Sequence, residues 1–217
     1  MHLKEGVVAG VLLGDGYLDS AQARIRFQHT LPQLNYLQFK LGLMEQLGFS
    51  TRCFSLTKVR TNVGLYDYCS GTASGNNVAA YYGRSLDRLL YDLNPLGLLL
   101  WWLDDGSLSV HQKSNGSISR FGYLNTQGFD LEGNQLIGRA LHEKFGLETN
   151  VHVDSKTGFA KSDHYRIYLN ATNMRRLIDL VREFIPWIPT NMRYKLNMQY
   201  VHNRVRDSEI FAAQYNF

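Results

Sequence analysis

The chain has 217 residues, 44% of them hydrophobic and 19% charged, with 23 Lys and Arg against 19 Asp and Glu, two Cys and four Pro. This is the composition of a globular chain rather than a disordered one, and its length allows one compact domain or two small ones. No apolar run reaches the roughly 18–20 residues that span a bilayer, and two cysteines make neither a disulfide scaffold nor a four-thiolate metal site.

The start, Met1-His2-Leu3-Lys4-Glu5, lacks the layout of a secretory signal. The expected setting is therefore cytoplasmic or nucleoid-associated, or an organelle matrix, with no membrane partner. The net charge of +4 divides evenly. Residues 1–94 carry 9 basic and 7 acidic side chains, and residues 95–217 carry 14 and 12. An equal excess in both halves is compatible with one long polyanion along the chain, and equally with a solvated surface.

In chain order, residues 7–13 form an apolar run closed by Gly14-Asp15-Gly16. Next, Gln22 to Gln28 alternates, with Gln22, Arg24, Arg26 and Gln28 on one face and Ala23, Ile25 and Phe27 on the other, as a half-buried strand does. Leu34, Leu37, Leu41, Met44 and Leu47 share one face of a predicted helix, with Gly48 as its C-terminal cap. Two β-rich runs, about 51–60 and 63–70, and a closing helix complete the half.

The pattern then repeats. A second apolar run over 97–103 closes with Asp104-Asp105-Gly106, which places Asp105 ninety positions after Asp15. A strand-like run near 117–124 follows, then a helix carrying Leu136, Ile137, Ala140, Leu141 and Phe145 that ends at Gly146. Further β-rich runs lie near 149–155 and 164–170, before a last helix. On the second of these His164, Arg166, Tyr168 and Asn170 share a face; Asn150, His152 and Lys156 do so on the first. Both halves thus read as helix, two strands, helix, two strands, helix, with a boundary near 94/95. The fold class is α+β, with a four-stranded antiparallel sheet in each half and a pseudo-twofold axis between them. The two apolar helices are hydrophobic all round, which suits a buried seam between the halves.

Asp15 and Asp105 close these helices at the end that carries partial negative charge, where an anion is unfavourable. One Asp-Gly step is an ordinary turn. Two at matched repeat positions point to a site, and paired carboxylates either share a proton or hold a divalent cation. Asp154-Ser155-Lys156 has no placed acidic partner, and seven scattered histidines form no zinc pattern.

The run Val8-Ala9-Gly10-Val11-Leu12-Leu13-Gly14-Asp15-Gly16 resembles the nine-residue LAGLIDADG motif, and Leu98 to Gly106 resembles its second copy in single-chain, two-repeat LAGLIDADG homing endonucleases. The second copy carries Leu99 and Leu100 where the motif has small residues. The resemblance implies two αββαββα repeats forming a DNA-binding saddle, and an intron-encoded monomer that makes a staggered double-strand break with 3′ overhangs in a long asymmetric duplex. It implies that Asp15 and Asp105 hold Mg²⁺ or Mn²⁺, with Gly14 and Asp104 adjoining as further metal-site residues. It places a basic catalytic partner late in each repeat, at Lys195 and Arg84. Gln22, Arg24, Arg26, Gln28, Asn150, His152, Lys156, His164, Arg166 and Tyr168 are then base- or backbone-contacting residues, because Arg and Gln match the edges of guanine and adenine in the major groove. Arg193, with His202, Arg204 and Arg206, would add phosphate contacts. A non-cleaving binder on the same scaffold, an intron RNA maturase or a DNA-binding regulator, is the alternative.

Overall fold

The computed structural model describes residues 3–61, 64–75, 78–112, 115–153 and 164–198. Lys156, His202, Arg204 and Arg206 lie outside the described residues. The first repeat runs α1 (Leu3–Leu13), β1 (Tyr17–Asp19), β2 (Arg24–Thr30), α2 (Leu34–Gln46), β3 (Ser50–Thr61), β4 (Gly64–Ser74) and α3 (Leu86–Asp92). The second runs α4 (Pro95–Asp105), β5 (Gly106–Gln112), β6 (Ile118–Leu124), α5 (Leu131–Phe145), β7 (Asn150–Val153), β8 (Tyr165–Leu169) and α6 (Ala171–Val181). Two 3₁₀ stretches follow, Arg182–Trp187 and Thr190–Leu196. Each repeat builds one antiparallel sheet, in the order β1-β2-β4-β3 and β5-β6-β8-β7.

α1 and α4 form the seam because glycine lets their backbones touch. A Cβ on Gly10 would lie 2.0 Å from the Gly97 carbonyl oxygen, and one on Gly97 would lie 1.9 Å from that of Gly6. The small residue that α4 contributes is therefore Gly97. Leu99 and Leu100 are fully buried in the core instead, so their bulk does not hold the helices apart. Asn94 accepts the Gly97 N–H (2.8 Å) as the N-cap of α4, and its amide donates to the Leu3 carbonyl (3.3 Å), tying the N-terminal ends of the two helices together. Leu96 through Leu103 are all buried, with Trp101 and Trp102 at 0% exposure, which explains a helix with no polar face. One apolar cluster runs through both repeats. Gly48 (φ 83°) and Gly146 (φ 64°) take the left-handed conformation that stops α2 and α5.

The strand expected to begin at Gln22 begins at Arg24. The Asp19 carboxylate accepts the Gln22 N–H (3.2 Å) and winds Ser20–Gln22 into a 3₁₀ turn, and Ala23 adopts φ 47°. Gln22 therefore leaves the row formed by Arg24, Arg26 and Gln28. β2 continues to Thr30, which puts His29 on the inward face beside Ile25 and Phe27. No helix among the described residues is long and apolar enough to cross a membrane.

Candidate metal centre and nucleic-acid interface

Both Asp-Gly steps turn the chain back against the helix it has just left. After Leu13, Gly14 N–H bonds Gly10 O (3.2 Å) and Gly16 N–H bonds Val11 O (2.9 Å). After α4, the Asp105 carbonyl accepts both the backbone N–H (3.0 Å) and the side-chain amide (2.7 Å) of Asn125. The glycine after each Asp is required by space: a Cβ would lie 2.5 Å from Val11 O at Gly16 and 2.3 Å from Trp102 O at Gly106. The same chemistry thus delivers Asp15 and Asp105 to the ends of two helices in contact.

These carboxylates sit in poor company for anions. Burial, then the charge of Asp104, raises the pKa of Asp15, while Lys40 and Lys195 lower it. Burial first, then the charges of Asp15 and Asp104, pushes Asp105 up to about 7. A group of oxygen donors that resists ionisation for want of a counter-charge is suited to a hard divalent cation.

Asp104 is placed differently. Its side chain has 0% exposure and lies 2.8 Å from Lys40, also at 0%. Oδ1 accepts Tyr36 Oη–H (2.8 Å) and Lys40 Nζ–H (2.8 Å); Oδ2 accepts Lys40 Nζ–H (2.9 Å) and the Asp15 backbone N–H (3.1 Å). Four contacts fill the lone-pair positions of a carboxylate, so Asp104 is held by protein donors at the edge of the centre. It clamps α4 to α2 of the other repeat and holds the backbone of Asp15. The donor atoms of Asp15, His29 and Asp104 do fall within 4.8 Å of one another, but of these only Asp15 points into open space, with 44% of its side chain exposed.

Of the two basic partners expected, the structure places one beside the carboxylates. Lys195 is buried; its Nζ donates to the carbonyls of Leu103 (2.6 Å) and Asp104 (2.9 Å), capping the C-terminal end of α4. Burial lowers its pKa, against the raising effect of Asp104, Asp15 and Asp105. Arg84 is not at the site. Its guanidinium bonds Asp92 (2.5 Å) and the Ala80 carbonyl (3.0 Å), and Asp92 precedes the opposite, N-terminal end of α4. The cation in the first repeat is Lys40 instead. His29 stands 3.7 Å from Asp15 Oδ2 through Nδ1, and burial, then the Lys40 charge, lowers its pKa to about 4, so it is neutral at pH 7.

The outward faces of the two sheets flank this centre. On the first, Arg26 and Gln28 are exposed, and the Asp19 carboxylate holds both Arg24 Nε (3.2 Å) and Arg26 Nη2 (2.9 Å). On the second, His152 stacks on Tyr168 (centroids 4.5 Å, 7°) and Arg166 lies 3.8 Å over the Tyr123 ring. Phe121 and Tyr123 join this patch, unforeseen from the sequence. Asn150 is exposed in β7, and His164 precedes β8. The guanidinium of Arg193 bonds the carbonyls of Ile188 and Pro186 (both 2.9 Å) and braces the loop before it.

Comparison with known proteins gives this geometry its context. A family model described as the LAGLIDADG DNA endonuclease family matches residues 5–177. The cytochrome b mRNA maturase bI2 of Saccharomyces cerevisiae is 24% identical over 215 residues, covering 88% of this chain and 46% of the maturase. A probable intron-encoded DNA endonuclease 3 of Mycosarcoma maydis is 33% identical over 108 residues, covering 50% of this chain and 67% of that protein. This chain thus spans about half the length of the maturase it matches. Among solved structures, the homing endonuclease I-WcaI bound to its DNA recognition sequence superposes with a TM-score of 0.68 at 18% identity, covering 91% of this chain and 87% of that one, which establishes a shared fold.

Proposed function

This chain belongs to the LAGLIDADG DNA endonuclease family, and we propose that it acts as a monomeric, site-specific endonuclease on a long asymmetric DNA duplex, hydrolysing one phosphodiester in each strand to leave 3′ overhangs. The two repeats, 1–94 and 95–217, each take half of the target. The observation that carries this reading is the delivery of two carboxylates, Asp15 and Asp105, to the ends of two touching helices between two outward sheet faces.

Asp15 and Asp105, with the Gly14 carbonyl, are the oxygen donors suited to Mg²⁺ or Mn²⁺; Asp104 is already saturated. A divalent cation bound there supplies Lewis-acid polarisation of the phosphate and a more acidic water. The chain's own groups do the rest. Lys195 places a buried positive charge against Asp104 and Asp105, where charge develops on the phosphate oxygens. Arg24 and Arg26 reach the duplex already oriented by Asp19.

The test is incubation of the protein with its cognate site in Mg²⁺ and in EDTA. Asp15→Asn and Asp105→Asn are each expected to lower double-strand cleavage at least 100-fold while duplex affinity stays within a few-fold. The maturase relative favours a second reading, in which the same scaffold binds intron RNA without cutting DNA. Duplex left uncut in both buffers, together with tight intron RNA binding, would decide for it.

A further inference from the structure

The helices and carboxylates of the centre follow the pseudo-twofold axis, but the sheet faces beside them do not. Strand pairing, counted from each Asp-Gly step, matches the two faces position by position. Two residues past Asp15, the row across the first sheet is Tyr17, Arg26, Thr72 and Arg52. Two residues past Asp105, the row across the second is Ser107, Tyr123, Tyr168 and Asn150. The neighbouring row holds Asp19 and Arg24 in the first sheet, and Ser109 and Phe121 in the second. Tyr123 and Phe121 therefore stand where the first repeat has Arg26 and Arg24, and Tyr168 stands where it has Thr72.

The rings form one patch. Phe121 lies 5.6 Å from both Tyr123 and Tyr168, Tyr123 lies 5.5 Å from Tyr168, and His152 closes over Tyr168 at 4.5 Å. The Tyr123 hydroxyl is shared with His152 Nδ1 (3.4 Å), so the polar tip of that ring is turned to its neighbour within the patch. With one ring already covering another, the patch offers ring edges and outer faces rather than slots into which a single-stranded base could stack. In the major groove the apolar feature that distinguishes one base is the thymine C5-methyl group. Arg166, lying over Tyr123, keeps a cation within the patch for the duplex backbone.

We propose that the two repeats read chemically different half-sites: the first reads guanine edges through Arg24 and Arg26, the second reads thymine methyl groups through Phe121, Tyr123 and Tyr168. This rests on the DNA-binding reading above.

The test isolates the methyl group. A duplex enriched from a random-sequence library by the full-length protein in EDTA is resynthesised with deoxyuridine for thymidine, or 7-deazaguanine for guanine, in one half at a time. Replacing Arg24 and Arg26 together with alanine identifies the half read by the first repeat, as the one where 7-deazaguanine ceases to matter. Uracil in the other half is expected to weaken binding about fourfold per contacted thymine, and to have no effect in the first repeat's half. Tyr168→Ala is expected to reduce the uracil effect, and replacing Phe121, Tyr123 and Tyr168 together with alanine to abolish it. Binding indifferent to uracil, or equally sensitive in both halves, overturns the proposal while leaving DNA recognition standing. If no duplex is enriched, or the protein retains only single-stranded nucleic acid, the DNA reading itself falls and the proposal with it.

Discussion

Replacing Lys40 with methionine measures how far the two repeats depend on the ion pair that joins them. Methionine keeps the length and the apolar stem and removes the charge. Lys40 and Asp104 are both fully buried, 2.8 Å apart, so the variant leaves a carboxylate that cannot reach water. Removing one partner of a buried pair costs about 3–5 kcal/mol. Asp104 keeps its bonds from Tyr36 and the Asp15 N–H, which places the expected loss near the lower end, about 3 kcal/mol. For a chain of this size that corresponds to a fall in Tm of roughly 6–12 °C, read by thermal melting alongside urea unfolding. Adding Asp104→Asn removes the stranded charge and is expected to recover about 2 kcal/mol, because an amide oxygen still accepts the Tyr36 hydroxyl. A single variant within 1 kcal/mol of wild type, or a double variant no more stable than the single one, would refute the reasoning; Asp104 would then be solvated and open to a metal ion.

Asp105, held at about 7 when folded against 3.8 for an unperturbed carboxyl, binds its proton more tightly in the folded than in the unfolded state. Without metal, its contribution to stability is therefore greatest at low pH, falls as pH rises from about 4 to 7, and is flat above that. Because His29, held at about 4, gains stability over the same range, the readout is the difference: from pH 5 to pH 8 in EDTA the melting temperature of wild type should fall relative to that of Asp105→Asn, and Mg²⁺ at pH 8 should raise wild type alone. Parallel profiles would exclude the shift. Two glycine substitutions separate seam from surface. Gly10→Ala sets a Cβ against the Gly97 carbonyl at 2.0 Å and is expected to cost about 3 kcal/mol or more, whereas Gly42→Ala on α2, with nothing within 4 Å of the added atom, should stabilise by about 0.5–1 kcal/mol in urea unfolding.

The element order was legible because it rests on local signals: two apolar runs ended by Asp-Gly, period-2 strands, and helices stopped by Gly48 and Gly146. What stayed hidden was what those elements meet. Lys40 falls on the apolar stripe of α2, three residues after Leu37 and one before Leu41, and a charge on a buried face signals a partner; the partner, Asp104, is 64 positions away. His29 was within reach of the alternation, since the inward series Ile25, Phe27 continues to it once β2 is extended past Gln28. Arg84 was assigned from its place late in the first repeat, as the counterpart of Lys195, whereas Asp92, eight residues on, claims its guanidinium. Gln22 fitted the alternation but lost its place to a side-chain cap from Asp19, a competition between turn and strand that periodicity does not register.

Asp104 also shows why fusion of the repeats matters. It occupies the motif position filled by Gly14 in the first copy, and a Cβ on Gly14 would lie 2.5 Å from Asp104 Oδ2. Two identical copies could not both place an aspartate there, since each would fill the space the other needs and bring two buried carboxylates to one axis. The clamp to Lys40 and Tyr36 is available only when the copies differ, and they can differ only when each chain carries both. The same freedom operates on the sheets, where Arg24 and Arg26 on one face are matched by Phe121 and Tyr123 on the other. A symmetric dimer must spend its interface and its recognition surface twice on the same solution. Here covalent linkage lets the seam take an asymmetric ion pair and lets the two sheet faces differ, while the carboxylates at the two helix ends remain matched.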